Sequence, residues 1–380
     1  MTLSVSNPMN RRAFLGATAT ATAVAASGMA GWPGAFQRRA TAAEVAWLSE
    51  VQTPPATLPP DAPQLKPLLV DAAGRPITTA EGWQKRAAEL REQWRALLGD
   101  LGVKRDPLPK VEVLKEEKQD GVVRRLIKYD AEPGWATEAY LLEPDAPPPA
   151  AGRPVAAVFH STVDHSIHQP AGLAGPPEKF FGLRLAQRGF ACICPRNFLW
   201  PDNDHLVAQG ETQRFQKLHP GVTGMARMLH DAQLALDIVL ARPGVDPARV
   251  CAVGHSLGAK EVLYLAAFDT RVKVTVSSEG GVGTKFSNWD APWYLGDRLK
   301  KPDFGHEQHE LLGLIAPRSF LLIGGDSADG DRCWPFITAA LPVYKLFGPV
   351  ARLGLYNHKQ GHKVPPAAEE RTYQWIAAHI

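Results

Sequence analysis

Cysteine is scarce: four are spread through 380 residues, and none has metal-ligand spacing. A small disulfide-built scaffold needs paired thiols at far higher density, and a zinc fold needs Cys/His clusters, so neither class applies. Charge of one sign is also missing, since 42 basic residues against 39 acidic leave a net charge of +3. No basic run with interleaved aromatics tracks a phosphate backbone, which argues against nucleic acid as a partner. Internal repeats are absent too, so solenoid architectures drop out. Loop-forming residues, by contrast, are plentiful. Gly 33 and Pro 33 suit many short connections that carry function at strand ends.

The amino terminus reads as an address. Asn10-Arg11-Arg12-Ala13-Phe14-Leu15 precedes an uncharged Ala/Thr-rich stretch from Gly16 to Phe36, and Ala40-Thr41-Ala42 offers small residues for cleavage. Residues 1–43 therefore read as a twin-arginine signal, with the Tat export machinery as partner and a periplasmic or secreted destination. The stretch holds too many Thr, Gly and Ser residues for a bilayer span, so no stable membrane insertion is expected once the signal is cleaved. Such substrates cross folded, and the cysteines need not pair. Cys192, Cys194 and Cys251 lie in apolar strand-like runs and read as small buried hydrophobes.

Residues 44–105 comprise a Pro-rich arm, too broken by proline for regular structure, followed by a helix over 81–101. That helix shows apolar residues at Trp83, Ala87, Leu90, Trp94, Leu97 and Leu98, the stripe of an amphipathic element. From 106 to 380 the chain reads as one catalytic domain. Strands are expected at 111–115, 122–129 and 136–142, with Asp120-Gly121 and Pro133-Gly134 as hairpin turns, so the sheet should open antiparallel. Val155-Ala156-Ala157-Val158-Phe159 then begins a regular alternation: helix 178–188, strand 190–194, helix 223–241, strand 250–253, helix 257–267 and strand 272–277. Strand 319–323, helix 335–347, strand 351–356 and helix 367–380 complete it. Short, wholly apolar strands separated by helices predict an α/β fold with a doubly wound, mostly parallel sheet and an antiparallel N-terminal portion.

The centre of this arrangement is Gly254-His255-Ser256-Leu257-Gly258, between an apolar strand and a helix-favouring run. Glycines two before and two after a serine permit a strand-to-helix turn tight enough to expose the serine oxygen, the geometry of a nucleophile elbow. A serine needs a base and an orienting acid, which in this fold follow in the order Ser, acid, His. His362, in the loop between the last strand and the last helix, is the expected base, with His358 as runner-up. For the acid, Glu279 follows the strand after the elbow helix, while Asp326, Asp329 and Asp331 follow the next strand. Residue types alone leave that choice open. The developing oxyanion needs two donors, expected from the backbone N–H of Leu257 and of Ser161 or Thr162 in His160-Ser161-Thr162. Trp289, Asp290, Trp293 and Tyr294 form a Trp-rich loop whose rings either wall a substrate site or, for one or two of them, pack in the core.

From about Pro154 onward the chain resembles the α/β-hydrolase esterases grouped with dienelactone hydrolases and acetyl xylan esterases, and is similar in detail to glucuronoyl esterases. Those enzymes carry Gly-Cys-Ser-Arg-x-Gly-Lys and then a glutamate before a glycine-rich stretch; here stand Gly254-His255-Ser256-Leu257-Gly258-Ala259-Lys260 and Glu279-Gly280-Gly281. Leu311 to Arg318, Pro342-Val343-Tyr344 and Gly361-His362 share the likeness. The resemblance favours Glu279 as the acid and implies that Lys260 contacts sugar. A related branch with an aspartate before a Trp keeps Asp331, in Asp331-Arg332-Cys333-Trp334, as the alternative. Leu257 stands where glucuronoyl esterases have an oxyanion-stabilising arginine, so the site loses a cation and the ester substrate stays open. The expectation is an exported serine esterase for carbohydrate-linked acetyl or uronate esters, needing no metal or organic cofactor. A dienelactone-type small-ester or lactone hydrolase and a non-catalytic binding protein of the same fold are the alternatives.

Overall fold

The structure is a computed structural model that describes residues 44–202 and 204–380. The expected signal, residues 1–43, lies outside the described residues. Among those described, no helix is long and apolar enough to cross a membrane.

Among the described residues, nine strands form one sheet in the order β1-β2-β3-β5-β4-β6-β7-β8-β9. β1 (Glu112–Gln119), β2 (Val122–Glu132) and β3 (Trp135–Pro144) make an antiparallel meander. Its first turn places Asp120 and Gly121 at φ 57° and 76°, the left-handed pair that an Asp-Gly sequence supplies with least strain. β4 (Arg153–Phe159), β5 (Ala191–Pro195), β6 (Val245–His255), β7 (Val274–Ser278), β8 (Ser319–Gly324) and β9 (Leu353–Asn357) run parallel, and β3 meets β5 antiparallel.

Alternation along the parallel strands builds two core layers. Ala156, Val158, Cys192, Cys194, Cys251 and Val253 face α2 (Phe181–Ala186) and α8 (Pro366–His379), while Val155, Ala157, Ile193, Val250 and Ala252 face α4 (Gly224–Leu240) and α5 (Leu257–Phe268). All four cysteines are buried and free. α1 (Ala80–Leu98) starts at Thr79, whose side chain accepts the Gly82 N–H, and buries the expected Trp83, Ala87, Leu90, Trp94 and Leu98. Part of that face lies on α6 (His309–Ile315), where Trp94 Nε1 donates to Glu310 at 2.8 Å.

Three helices depart from expectation. The helix expected at 178–188 is only six residues long, because Pro176 and Pro177 confine the preceding segment to one 3-10 turn. α3 (Ala208–Leu218) is an additional helix with only Thr212 and Phe215 buried, too few apolar contacts to mark it in the sequence. α6 was hidden for the opposite reason: all its residues are buried, so it shows no polar face. α7 (Trp334–Lys345) follows the expected pattern.

Residues 44–52 of the arm run over the β9 edge and α8. Gln52 Nε2 donates to Leu353 O at 2.9 Å, Trp47 stacks on Trp375 at 5.7 Å, and Glu50 pairs with Arg371 at 2.8 Å. From β4 the chain crosses first to β5 on one side and later to β6 on the other. Ligands of open α/β sheets bind at such a reversal, beyond the strands' carboxyl ends. Here the loop after Phe159 and the turn after His255 lie side by side at that point.

Candidate active site

The strand-to-helix turn needs its glycines for space. A Cβ on Gly254 would lie 2.3 Å from the Gly258 carbonyl, and one on Gly258 would lie 2.4 Å from Phe159 O. Ser256 between them has φ 60° and ψ −115°, strain of order 1–3 kcal/mol that the surrounding packing must hold. Its N–H donates to Ser278 O at 2.8 Å, which ties the turn to β7.

Glu279 follows β7 and is also left-handed, at φ 56°. Its carboxylate is 1 % exposed and sits in a cradle of amides: Gly325 N–H donates to Oε1, and Ala328 N–H to Oε2 at 2.8 Å. His362 Nδ1 lies 3.1 Å from the same Oε2. A carboxylate can only accept, so the ring proton belongs on Nδ1 and Nε2 keeps its lone pair free. The His362 ring also packs on the ring of His255, the residue before the serine, with centroids 4.7 Å apart. His255 is 1 % exposed, its Nδ1 lies 3.0 Å from Ser278 Oγ, and burial, with the positive charge of Lys179 nearby, holds it well below the usual histidine range.

The rival acids are engaged elsewhere. Asp331 pairs with Lys359 at 2.8 Å and accepts from Asn357 Nδ2 at 2.9 Å. Asp326 accepts from the same Asn357 Nδ2 at 2.6 Å. Asp329, fully buried, accepts from Gly281 N–H at 2.8 Å, Val282 N–H at 2.6 Å and the Cys333 thiol at 3.2 Å. Burial, reinforced by the Glu279 charge, raises its carboxyl against the pull of those amides. Glu279 and Asp329 thus form a reciprocal clasp, each carboxylate binding the backbone of the loop that carries the other. His358 Nδ1 accepts the Gln360 N–H at 3.1 Å.

On the opposite side, Leu257 opens α5 with its side chain buried at 1 % exposure. The expectation that Ser161 supplies the second backbone donor does not fit: its N–H is already given to Gln169 Oε1 at 3.0 Å. Thr162, the next residue, is exposed. Lys260 and Trp289 also depart from expectation. Trp289 is fully buried and donates Nε1 to Gly281 O at 2.7 Å, so it packs the core under the loop and offers no stacking face. Lys260 is 4 % exposed, with its ammonium 3.8 Å above the Trp289 ring and 5.0 Å from that of Tyr294, and burial lowers it to about 7. It has no outward reach to a sugar. Tyr294 is buried too, whereas Trp293 is partly exposed and Asp290 exposed. The roles of His255, Asp329 and Gln169 had no local sequence signal, since each depends on contacts between distant loops.

Residues 165–305 match the sequence profile of the dienelactone hydrolase family. A Bacillus subtilis protein with the provisional name hydrolase YtaP is 28 % identical over 251 residues, which span 63 % of this chain and 80 % of that one. The solved structure of a glucuronoyl esterase from Solibacter usitatus superposes with a TM-score of 0.67 at 20 % identity, covering 85 % of this chain and 99 % of that chain. That of a provisionally named acetyl xylan esterase from Bacteroides fragilis gives 0.57 at 16 %, covering 77 % and 79 %. At such identities the two structures speak to the fold. Taken with the profile match over residues 165–305, they give this chain the α/β-hydrolase fold.

Proposed function

We propose that the protein is a serine carboxylic-ester hydrolase working through an acyl-enzyme. The observation that carries this reading is His362, its Nδ1 on the buried Glu279 carboxylate and its ring on the residue beside Ser256. Ser256 Oγ attacks the ester carbonyl while His362 Nε2 takes its proton, and Glu279 orients and stabilises the imidazolium. The Leu257 and Thr162 N–H groups stabilise the oxyanion. The proton then passes to the leaving alcohol, and water activated by the same imidazole releases the acid. No metal or organic cofactor enters these steps.

Carbohydrate-linked esters, acetyl or uronate, are the favoured substrates, supported by likeness to proteins named glucuronoyl and acetyl xylan esterases. A small-ester or lactone hydrolase is the second reading, and the apolar Leu257 with the buried Trp289 and Lys260 favours it. We further read residues 1–43 as a twin-arginine leader to the periplasm or beyond. Arg11→Lys with Arg12→Lys should hold the protein in the cytoplasm, and unchanged export would refute that.

A panel of acetylated xylan, methyl glucuronate and aryl acetates, run with Ser256→Ala and His362→Ala, tests the reading. Both variants should lose hydrolysis, and Ser256→Ala should lose fluorophosphonate labelling. A wild-type protein that neither labels nor hydrolyses any of these esters would be a binding protein.

A further inference from the structure

Glu261 lies on α5, five residues beyond Ser256, and is 5 % exposed. A buried acid normally keeps a cation beside it, yet among the described residues Glu261 has no ion pair. Its Oε1 accepts from Asn197 Nδ2 at 3.0 Å, and its Oε2 meets no partner. Asn197, 4 % exposed, comes from the loop after β5, and its backbone N–H donates to His160 Nε2 at 3.1 Å. Because Nε2 accepts, the ring proton must sit on Nδ1, which donates to Ser161 O at 2.7 Å. The Trp200 ring stands perpendicular to the His160 ring at 4.9 Å and fixes its plane. On the far side, Gln169 holds the Ser161 N–H. Both polar groups of the peptide residue before Thr162 are therefore clamped.

We propose that Glu261 is a positioning residue, the anchor of a strut running through Asn197 and His160 to Ser161 that sets the Thr162 N–H against the Leu257 N–H. One end of the strut is on the helix that begins with Leu257; the other is in the loop that ends at Thr162. The two oxyanion donors come from separate strand ends, and this is the chain of side-chain contacts that spans them. Burial, helped by the Asp231 charge and opposed by the Asn197 bond, raises the Glu261 carboxyl to about 8, and burial lowers His160 to about 4. Both are uncharged at neutral pH. The strut thus asks of position 261 an acceptor oxygen and no charge, which distinguishes it from a catalytic acid.

The inference rests on the esterase reading above, and the test separates the two. With 4-nitrophenyl acetate, Glu261→Ala should lower kcat about 10- to 100-fold with KM within twofold, the size of a misplaced oxyanion donor. Glu261→Gln keeps the acceptor and should stay within threefold of wild type. Asn197→Ala cuts the strut outside the helix, should match Glu261→Ala, and carries the test if that variant misfolds. The double variant should be no worse than either single. Equal losses in Gln and Ala, a change confined to KM, or wild-type kcat in Asn197→Ala would overturn the strut. A wild-type protein without esterase activity would instead overturn the function.

Discussion

Replacing Glu279 by glutamine changes one atom and should nearly abolish activity, because every group around that carboxylate is a donor. Gly325 N–H faces one oxygen; Ala328 N–H and His362 Nδ1–H share the other. An amide offers one acceptor oxygen and one NH2. With the NH2 toward Oε2's place, it opposes both Ala328 and His362, and the imidazole escapes by moving its proton to Nε2, where it can no longer accept from Ser256. With the NH2 toward Oε1's place, it opposes Gly325 N–H inside a buried turn and leaves that donor unpaired at about 1–3 kcal/mol. Gly325 N–H has a second acceptor in Asp329 O at 3.1 Å, so the second arrangement is partly cushioned. Even there the amide oxygen lacks the charge that stabilises an imidazolium. Losing tautomer and charge together lowers turnover about 10⁴-fold in Ser-His-Asp enzymes, about 5.5 kcal/mol in activation free energy. Glu279→Gln should therefore show kcat on 4-nitrophenyl acetate reduced by about 10³- to 10⁴-fold. Asp331→Asn, which loses only its contacts with Lys359 and Asn357, should stay within about threefold. Initial rates across pH 6–9, with circular dichroism to check the fold, settle the matter. A Glu279→Gln enzyme within tenfold of wild type, or an Asp331→Asn enzyme losing a thousandfold, would refute the assignment.

Asp329→Asn breaks the other half of the clasp, since its NH2 must oppose either Gly281 or Val282. Urea unfolding should show a loss of about 1–3 kcal/mol, accompanied by a lower kcat. His255→Ala opens a gap beside the base and should lower kcat about tenfold, while His255→Phe, which keeps a ring there, should recover most of it; equal rates in all three would remove His255 from the site. Lys260→Met should stabilise the protein. The lysine's ammonium is protonated in the unfolded chain up to its ordinary 10.5 but only up to about 7 when buried, so the folding penalty is full below pH 7 and fades as pH rises toward 10.5. That shift corresponds to at most about 5 kcal/mol, less about 2 for the two aromatic faces under the ammonium. Thermal midpoints at pH 6.5 and pH 10 should differ between variant and wild type mainly at the lower pH.

The parallel strands and the elbow were legible because their signals are local. A wholly apolar strand such as β4 can only be buried on both faces, and the Gly254 and Gly258 spacing is forced by contacts inside five residues. Glu279 and His362 could be placed by chain order and resemblance. What the clasp adds was not readable, because it depends on two loops 46 to 49 residues apart meeting backbone to side chain. Trp289 and Lys260 were misread for a related reason. A Trp-rich loop next to a site looks the same in sequence whether its rings face solvent or fold back, and here Gly281 O draws Trp289 inward. Ser161 was misread because its N–H partner, Gln169, lies on a short turn with no pattern of its own.

The arm has a consequence for handling the molecule. Among the described residues no strand pairs beyond β9, and there Gln52 caps the Leu353 carbonyl while Val51 packs so close to Gly354 that a Cβ there would lie 2.4 Å from it. A chain shortened to begin at Thr53 would keep every group of the candidate site yet present an open row of backbone acceptors beside an uncovered Trp375. Bare edges of that kind recruit other strands. Shortening the protein from its amino end should therefore be felt first as self-association, in light scattering or sedimentation, before any effect on turnover.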